Sequence, residues 1–206
     1  MENEENVSIQ VELQENKMDS VVKNSILPYL MDLSTVLCVI LLVFMFCFRI
    51  AVVSGSSMYD TLIHKDYVLL LNHAIAGSPQ QGDIIVASKQ SYDNGSPIIK
   101  RVIATEGQKV DINFETGIVT VDGQILDEPY IHTPTTDFEG IYFPITVEPG
   151  CVFVLGDNRG VSKDSRDPQI GQIDCRQIVG KAIFLFFPGI DPATGTRDFD
   201  RIGALS

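Results

Sequence analysis

The sequence predicts a mainly β protein, with an antiparallel coiled-sheet domain preceded by one N-terminal transmembrane helix. Three observations support this fold class. An apolar stretch at residues 31–53 is long enough to span a bilayer. Short β-branched runs follow it, separated by Gly, Pro, Asp and Asn turns. No long amphipathic helix interrupts these runs in the sequence, so a parallel α/β sheet is not expected.

Residues 1–30 are predicted to form an acidic, solvated N-terminal tail. The basic residues before the apolar stretch that bear on its orientation are Lys17 and Lys23. The positive-inside rule counts Lys and Arg and largely ignores acids, so this pair gives only a weak orientation signal.

The predicted transmembrane anchor covers residues 31–53, and its centre, Val36–Phe48, carries no charge. Arg49 lies near one end, where its long stem can reach the lipid headgroups. A buried core helix is an alternative, but it would need a larger protein around it. A signal peptide cleaved near Ala51–Val53 is another, but such peptides begin with a short basic region. An uncleaved anchor is therefore favoured.

Residues 54–206 are predicted to form a β-rich domain. Its clearest hairpin runs from Val119 to Leu126, with Asp122 and Gly123 at the turn. The predicted strands contain the runs Tyr67–Leu71, Ile84–Val86, Ile98–Ile103, Ile118–Val121, Val152–Leu155 and Ile183–Phe187.

The composition excludes several classes of function. The net charge is -12, with 15 Lys and Arg against 27 Asp and Glu, and such a surface repels nucleic acid. The four cysteines lack metal-binding spacing, so no metal site is expected. Cys151 and Cys175 leave two alternatives, a disulfide or two buried free thiols, and the free thiols are favoured.

A lysine is a better candidate for a general base than any of the three histidines. A buried amine has a lowered pKa and can then accept a hydroxyl proton. Lys100 lies on a predicted strand, where it shares a face with Ile98 and Val102. Most lysines in such a pattern reach water, so the pattern alone does not establish burial. The histidines lie in no recognisable triad context and are expected at the surface or in loops: His64, His73 and His132.

Two further segments have side chains suited to chemistry. Ser57 lies in a Ser- and Gly-rich segment after the anchor, which can form a turn that exposes a hydroxyl. The alternative is a plain linker. The segment Gly156–Arg166 follows an apolar strand and is dense in hydrogen-bonding side chains. The alternative there is a solvated surface loop.

In this order behind an anchor, the segments resemble the type I signal peptidase family, especially its short single-anchor Gram-positive members. Gly55–Leu62 is similar to the family's G-x-S-M-x-P-T-L motif, with Asp60 in place of proline. Gly82–Val86 matches G-D-I/V-V, and Lys100–Gln108 partly matches K-R-V-I-G-x-P-G-D. Gly156–Arg166 matches G-D-N-R-x-x-S-x-D-S-R at every position.

The resemblance implies roles for particular residues. Ser57 would be the nucleophile, Lys100 the base, and Ser162 a hydrogen-bond partner of the Lys100 amine. Asp164 and Arg166 would form a supporting ion pair. Gly156, Asp157, Asn158 and Arg159 would also support the site. The residues at the substrate cleft or oxyanion site would be Gly55, Ser56 and Met58.

The resemblance also implies an activity and a location. The chain would be a serine endopeptidase, without a cofactor, that removes signal peptides from secretory precursors at a lipid bilayer. It would be a single-pass protein of the cell membrane, with a cytoplasmic N-terminus and the β-rich domain, residues 54–206, on the extracytoplasmic side. The sequence leaves the oligomeric state open. The alternatives are an impaired or specialised paralogue, because of Asp60 and Ala104–Glu106, a self-cleaving Ser-Lys protease, or a non-enzymatic tethered β-domain that binds extended peptides.

Overall fold

In a computed structural model of the chain, the described residues are 13–15, 17–18, 26–90 and 92–205. The chain divides into two compact units, residues 1–46 and 47–206. Most of the predicted acidic tail, residues 1–30, lies outside the described residues. The mainly β, antiparallel architecture predicted for the rest is confirmed.

Most of the described residues of the first unit belong to one helix, Leu27–Cys47, which has a mean hydropathy of 2.5 over its most apolar window. It is long and apolar enough to cross a bilayer, since 21 residues extend about 32 Å at 1.5 Å each. Asp32 lies near its first turn, and the rest of the helix is uncharged. The helix begins and ends earlier than the predicted anchor at residues 31–53.

Residues 48–52 form a strand rather than the end of the apolar helix. Four of these five residues are apolar, like most residues of the helix, so composition alone does not separate the strand from the helix. Pairing decides the difference, because this strand is antiparallel to Tyr67–Asn72, with Val52 opposite Tyr67.

Among its described residues, 47–90 and 92–205, the second unit contains twelve strands and several short helices. The strands are β1 (Phe48–Val52), β2 (Tyr67–Asn72), β3 (Ile84–Ser88), β4 (Pro97–Thr105), β5 (Lys109–Asn113), β6 (Ile118–Val121), β7 (Gln124–Ile125), β8 (Ile145–Thr146), β9 (Cys151–Leu155), β10 (Ile173–Asp174), β11 (Ile178–Phe187) and β12 (Gly203–Ala204). A four-residue α-helix covers His73–Ala76, and 3-10 turns cover Asp93–Gly95, Cys175–Gln177 and Phe199–Arg201.

The strands form two sheets. The larger has the order β1-β2-β11-β3-β4-β9-β10, with β12 added to β11, and the smaller has the order β7-β6-β5-β8. The predicted Asp122–Gly123 hairpin joins β6 and β7, and both residues have positive φ, at 53° and 79°. Cys151 and Cys175 carry free thiols.

Two parts of the core position β4. Its C-terminal half packs against the smaller sheet through a cluster that includes Ile103, Val110 and Phe153, all at 0% exposure. Its other face contributes Val102 to a cluster with Ile85 and Val154. This burial on both faces holds the strand that carries Lys100 rigidly within the larger sheet.

Candidate active site

The side chains of Lys100 and Ser57 meet at the middle of β4. Nζ of Lys100 lies 2.7 Å from Oγ of Ser57, within hydrogen-bonding distance. Lys100 pairs with Ile85 across the β3–β4 ladder and is only 5% exposed. This burial disfavours the ammonium form and lowers the pKa of Lys100 to about 8. An amine of this kind, once neutral, can accept the proton of a hydroxyl that it contacts.

Acidic side chains near Lys100 act against the effect of burial. Asp164, Asp157 and Glu139 raise the pKa of Lys100, whereas Arg166 lowers it. Each of these carboxylates has an arginine partner, which offsets its charge. Loss of hydration therefore remains the largest influence on the amine.

The turn that carries Ser57 is held mainly by main-chain bonds. Asn158 donates from its backbone N to the Ser57 carbonyl at 3.0 Å and from Nδ2 to the Ser56 carbonyl at 3.1 Å. The Tyr59 amide donates to the Ser56 carbonyl at 3.1 Å and closes the turn. Gly55 has a φ of 91°, a conformation that side chains other than glycine rarely adopt. Asn158 thus ties the Ser57 segment to the Gly156–Arg166 loop.

Four of the five charged side chains of the Gly156–Arg166 loop are buried, and the fifth, Lys163, is exposed. The Gly156 amide donates to Oδ2 of Asp164 at 3.0 Å, and Arg159 Nε donates to the Gly156 carbonyl at 2.9 Å. Arg166 grips both oxygens of Asp164, each at 2.9 Å. The loop is therefore a packed framework rather than the solvated surface loop left open by the sequence, since Asp164 and Arg166 are 0% exposed.

Two site residues differ from their expected contacts. Ser162 Oγ is buried but has no hydrogen-bond partner among the described residues, so the expected bond to the Lys100 amine is not made. The amine is directed at Ser57 instead. Met58 does not line the cleft but packs in the core at 1% exposure, because the turn points its side chain inward against Leu62 and Val68.

Sequence reasoning missed Glu139 and Thr61. Glu139 Oε1 lies 3.1 Å from Arg166, and burial, followed by the nearby Asp164 charge, raises the pKa of Glu139 to about 7. Thr61 Oγ1 donates to Oδ2 of Asp157 at 2.6 Å. Neither belongs to the charged motif that it contacts. The available signal for Thr61 was its place in the G-x-S-M-x-P-T-L motif. Glu139 lies in no motif that the sequence revealed.

The histidines lie outside the Ser57–Lys100 contact. His64 Nδ1 accepts a bond from the Gly55 amide at 3.3 Å, and His132 Nδ1 lies 3.1 Å from Asp60. Both rings are exposed to solvent. Among the residues that the structure describes, no group of three or more His, Cys, Asp or Glu side chains is arranged to hold a metal ion.

Ser57 and Lys100 lie in a cleft of about 700 Å³. Its lining contains both apolar and polar side chains. The lining residues are Ala51–Ser57, Val68, Val86, Tyr92, Asp93, Ser96–Lys100, Val161 and Lys163.

Comparison with known proteins identifies a family for this chain. The profile of the "Signal peptidase, peptidase S26" family matches residues 26–187, which is more than half of the chain. The chain belongs to this family.

Relatives in the peptidase S26 family are similar over most of their length. A probable signal peptidase I-1 of Synechocystis sp. is 40% identical over 144 residues, covering 66% of this chain and 69% of the relative. A signal peptidase I of Bacillus amyloliquefaciens is 34% identical over 161 residues, covering 72% and 78%. A crystal structure of a signal peptidase I from Enterococcus faecalis has 28% identity and a TM-score of 0.42, covering 51% of this chain and 97% of that one.

Gly156 leaves no room for a side chain next to the Ser57 turn. A Cβ there would lie 2.1 Å from Ser162 Oγ and 2.5 Å from the Ser57 carbonyl oxygen. We expect Gly156→Ala to lower the free energy of unfolding by about 1–3 kcal/mol, as overpacking does, and to lower the melting temperature. Gly160→Ala is the matched control, since its nearest neighbour would be 3.5 Å away. Equal melting temperatures for the two variants would contradict this packing.

Proposed function

We propose that this peptidase S26 family member removes N-terminal signal peptides from secretory precursors, with Ser57 as nucleophile and Lys100 as general base. The named relatives support a signal-peptide-removing peptidase. The observation that carries the finer assignment is the 2.7 Å contact between the Lys100 amine and the Ser57 hydroxyl. Burial of that amine supplies the unprotonated form that a base needs.

The proposed reaction is an acyl transfer in two stages. Neutral Lys100 takes the Ser57 proton as Oγ forms a bond to the scissile carbonyl carbon. The resulting ammonium gives its proton to the leaving amine as the C–N bond breaks, which leaves an acyl-enzyme. Water then attacks the acyl carbon, Lys100 takes the water proton, and this proton returns to Ser57 Oγ as the product acid departs.

The oxyanion of each stage needs a donor near Ser57. We assign the backbone amide of Ser57 to this role, a contribution of roughly 3–4 kcal/mol for a well-placed donor. Gly55 has no side-chain hydroxyl to add a second donor. Because Gly55 has no side chain, a substrate can approach its backbone closely. Gly55 and Ser56 both line the cleft.

The substrate segment is an extended peptide with small residues at positions -1 and -3. Residues 97–101 of β4 pair with β3, whereas pairing of β4 with β9 begins at Arg101. The β9-side edge of Pro97–Lys100 therefore borders the cleft rather than β9, and a substrate strand can pair with it. Val68 and Val86 also line the cleft, and these apolar walls favour small apolar side chains.

The protein is anchored by the Leu27–Cys47 helix, with a cytoplasmic N-terminus and residues 54–206 on the extracytoplasmic side. An uncleaved anchor is supported by β1, because cleavage near Ala51–Val53 would cut a strand that pairs with β2. Ser57 follows the helix closely in sequence. Tethering thus raises its effective concentration for a signal peptide held in the same bilayer.

The Gly156–Arg166 loop supports the two reacting groups. Asn158 holds the Ser57 turn through a hydrogen bond to the Ser56 carbonyl. Gly156 leaves space for this turn because it has no side chain. Asp157 and Asp164 are held by arginines, which limits their effect on the Lys100 amine. Arg159 braces the loop through the Gly156 carbonyl and Glu128.

Removing either reacting group should abolish cleavage. We expect Ser57→Ala and Lys100→Ala to lower kcat by about 10³-fold or more, because the two groups act as one unit. The measurement is processing of a secretory precursor by the full chain in detergent. Ser78→Ala and Lys109→Ala are matched controls at positions outside the cleft. Full activity in both reacting-group variants would remove the assigned pair.

The pH profile should report the Lys100 amine. Activity should fall as pH drops through about 8, because the amine becomes protonated. Glu139 raises the pKa of Lys100, so Glu139→Gln should move this acid limb to lower pH. The side-chain amide introduced by Glu139→Gln keeps an oxygen that can accept a hydrogen bond from Arg166. Glu115→Gln, at an exposed position, is the control, and a shift to higher pH in Glu139→Gln would contradict the electrostatic account.

A further inference from the structure

The C-terminal segment, residues 188–205, lies beyond the residues matched by the family profile. It contacts the loop between β1 and β2, residues 53–66, which carries Ser57 and is called the Ser57 loop. It returns to the larger sheet as β12, where Gly203 pairs with Leu185 of β11. The Leu205 amide also donates to the Ile183 carbonyl at 3.0 Å. The 3-10 turn Phe199–Arg201 precedes this pairing, so Arg201 is held at a fixed place.

Arg201 makes three bonds to the loop that carries Ser57. Its Nη1 and Nη2 donate to the two oxygens of Asp66 at 3.1 and 2.7 Å. Its Nη2 also donates to the Thr61 carbonyl at 3.1 Å. A planar guanidinium that bonds two acceptors in this way fixes their separation and orientation.

Asp66 is a buried junction between the two segments. Its side chain is 0% exposed and accepts bonds from the Ile63 amide at 2.8 Å and the Gly189 amide at 2.7 Å. It therefore joins the Ser57 loop, the C-terminal segment and Arg201 in one network. A buried carboxylate that is fully bonded in this way has one stable arrangement.

Thr61 connects this network to the site. Its carbonyl accepts from Arg201, and its hydroxyl donates to Asp157 at 2.6 Å. Asp157 in turn holds Arg101, the residue after Lys100, through bonds of 3.0 and 2.9 Å. A continuous set of bonds thus runs from Arg201 to the strand that carries the amine.

We propose that Arg201, acting through Asp66 and Thr61, is a positioning residue that holds the Ser57 hydroxyl against the Lys100 amine. This inference rests on the proposed function, because it assigns a role in that reaction. Asn158 fixes the carbonyls of Ser56 and Ser57. Arg201 fixes the part of the loop that follows this turn, through the Thr61 carbonyl and the Asp66 carboxylate.

The expected effect is on the rate of the bound complex. Displacement of a reacting group by about 1 Å can cost about 10²-fold in rate. We expect Arg201→Ala to lower kcat by about 10–100-fold and to change KM by less than about twofold, since Arg201 does not line the cleft. Arg201→Lys should recover only part of kcat, because an ammonium does not reproduce the planar fork.

The test compares Arg201→Ala, Arg201→Lys and Arg197→Ala in the full chain in detergent. Arg197 is a matched control from the same segment, since it bonds the Pro188 carbonyl and stacks on Phe187. For each variant, kcat and KM are measured with a secretory precursor, and the folded fraction is measured by thermal unfolding. Guanidinium ion at low, non-denaturing concentration should partly restore kcat in Arg201→Ala and leave Arg197→Ala unchanged.

Two coupled results would support the inference: loss of kcat in folded Arg201→Ala, and rescue by guanidinium. Wild-type kcat in Arg201→Ala would overturn it, as would an equal loss in Arg197→Ala or a loss explained by unfolding alone. A Thr61→Val variant, which removes the bond to Asp157, should lose kcat without additivity in combination with Arg201→Ala. Ser57→Ala run in parallel separates the two proposals. Activity in Ser57→Ala would reject the proposed function and the role of Arg201 with it, whereas an inactive Ser57→Ala together with wild-type kcat in Arg201→Ala would reject the positioning role alone.

Discussion

The site depends on the removal of water from one lysine amine. Lys100 is 5% exposed within a sheet strand that is packed on both faces, and burial is the largest influence on its pKa. Buried carboxylates would normally restore the charged form. Here Asp157 is held by Arg101, and Asp164 and Glu139 are held by Arg166. The arginines thus allow a polar framework to surround the amine without returning it to its ordinary pKa.

The same arginines explain why the site is rigid. A carboxylate gripped by a planar guanidinium is fixed in both distance and orientation. Asp157 and Asp164 use this grip to bond Thr61 and the Gly156 amide, respectively. The Ser57 turn therefore rests on groups that themselves have little freedom, as a preorganised site requires. The close approach at Gly156 shows how little space remains around the turn.

Local patterns made much of the fold predictable. Alternation and turn residues located six strands and the Asp122–Gly123 hairpin, because those signals depend on neighbouring residues. They failed at residues 48–52, where helix and strand share one composition and only pairing with β2 distinguishes them. Motif order brought Ser57 and Lys100 to attention, and the structure has them in contact. Their chemical roles stay predictions. Glu139, Asp66 and Arg201 were not predictable, because their partners are distant in sequence. The inward turn of Met58 follows from packing that no local pattern encodes.

The protonation state of Lys100 is the most direct test of whether its amine can act as the base. The ¹³Cε and ¹⁵Nζ resonances of Lys100 can be followed against pH by NMR in the labelled full chain in detergent, with Lys100→Arg for assignment. A desolvated amine should titrate with a midpoint near pH 8. A midpoint at about pH 10.4, the ordinary pKa of a hydrated lysine, would show that water reaches the amine. This result would contradict the assignment of Lys100 as the base.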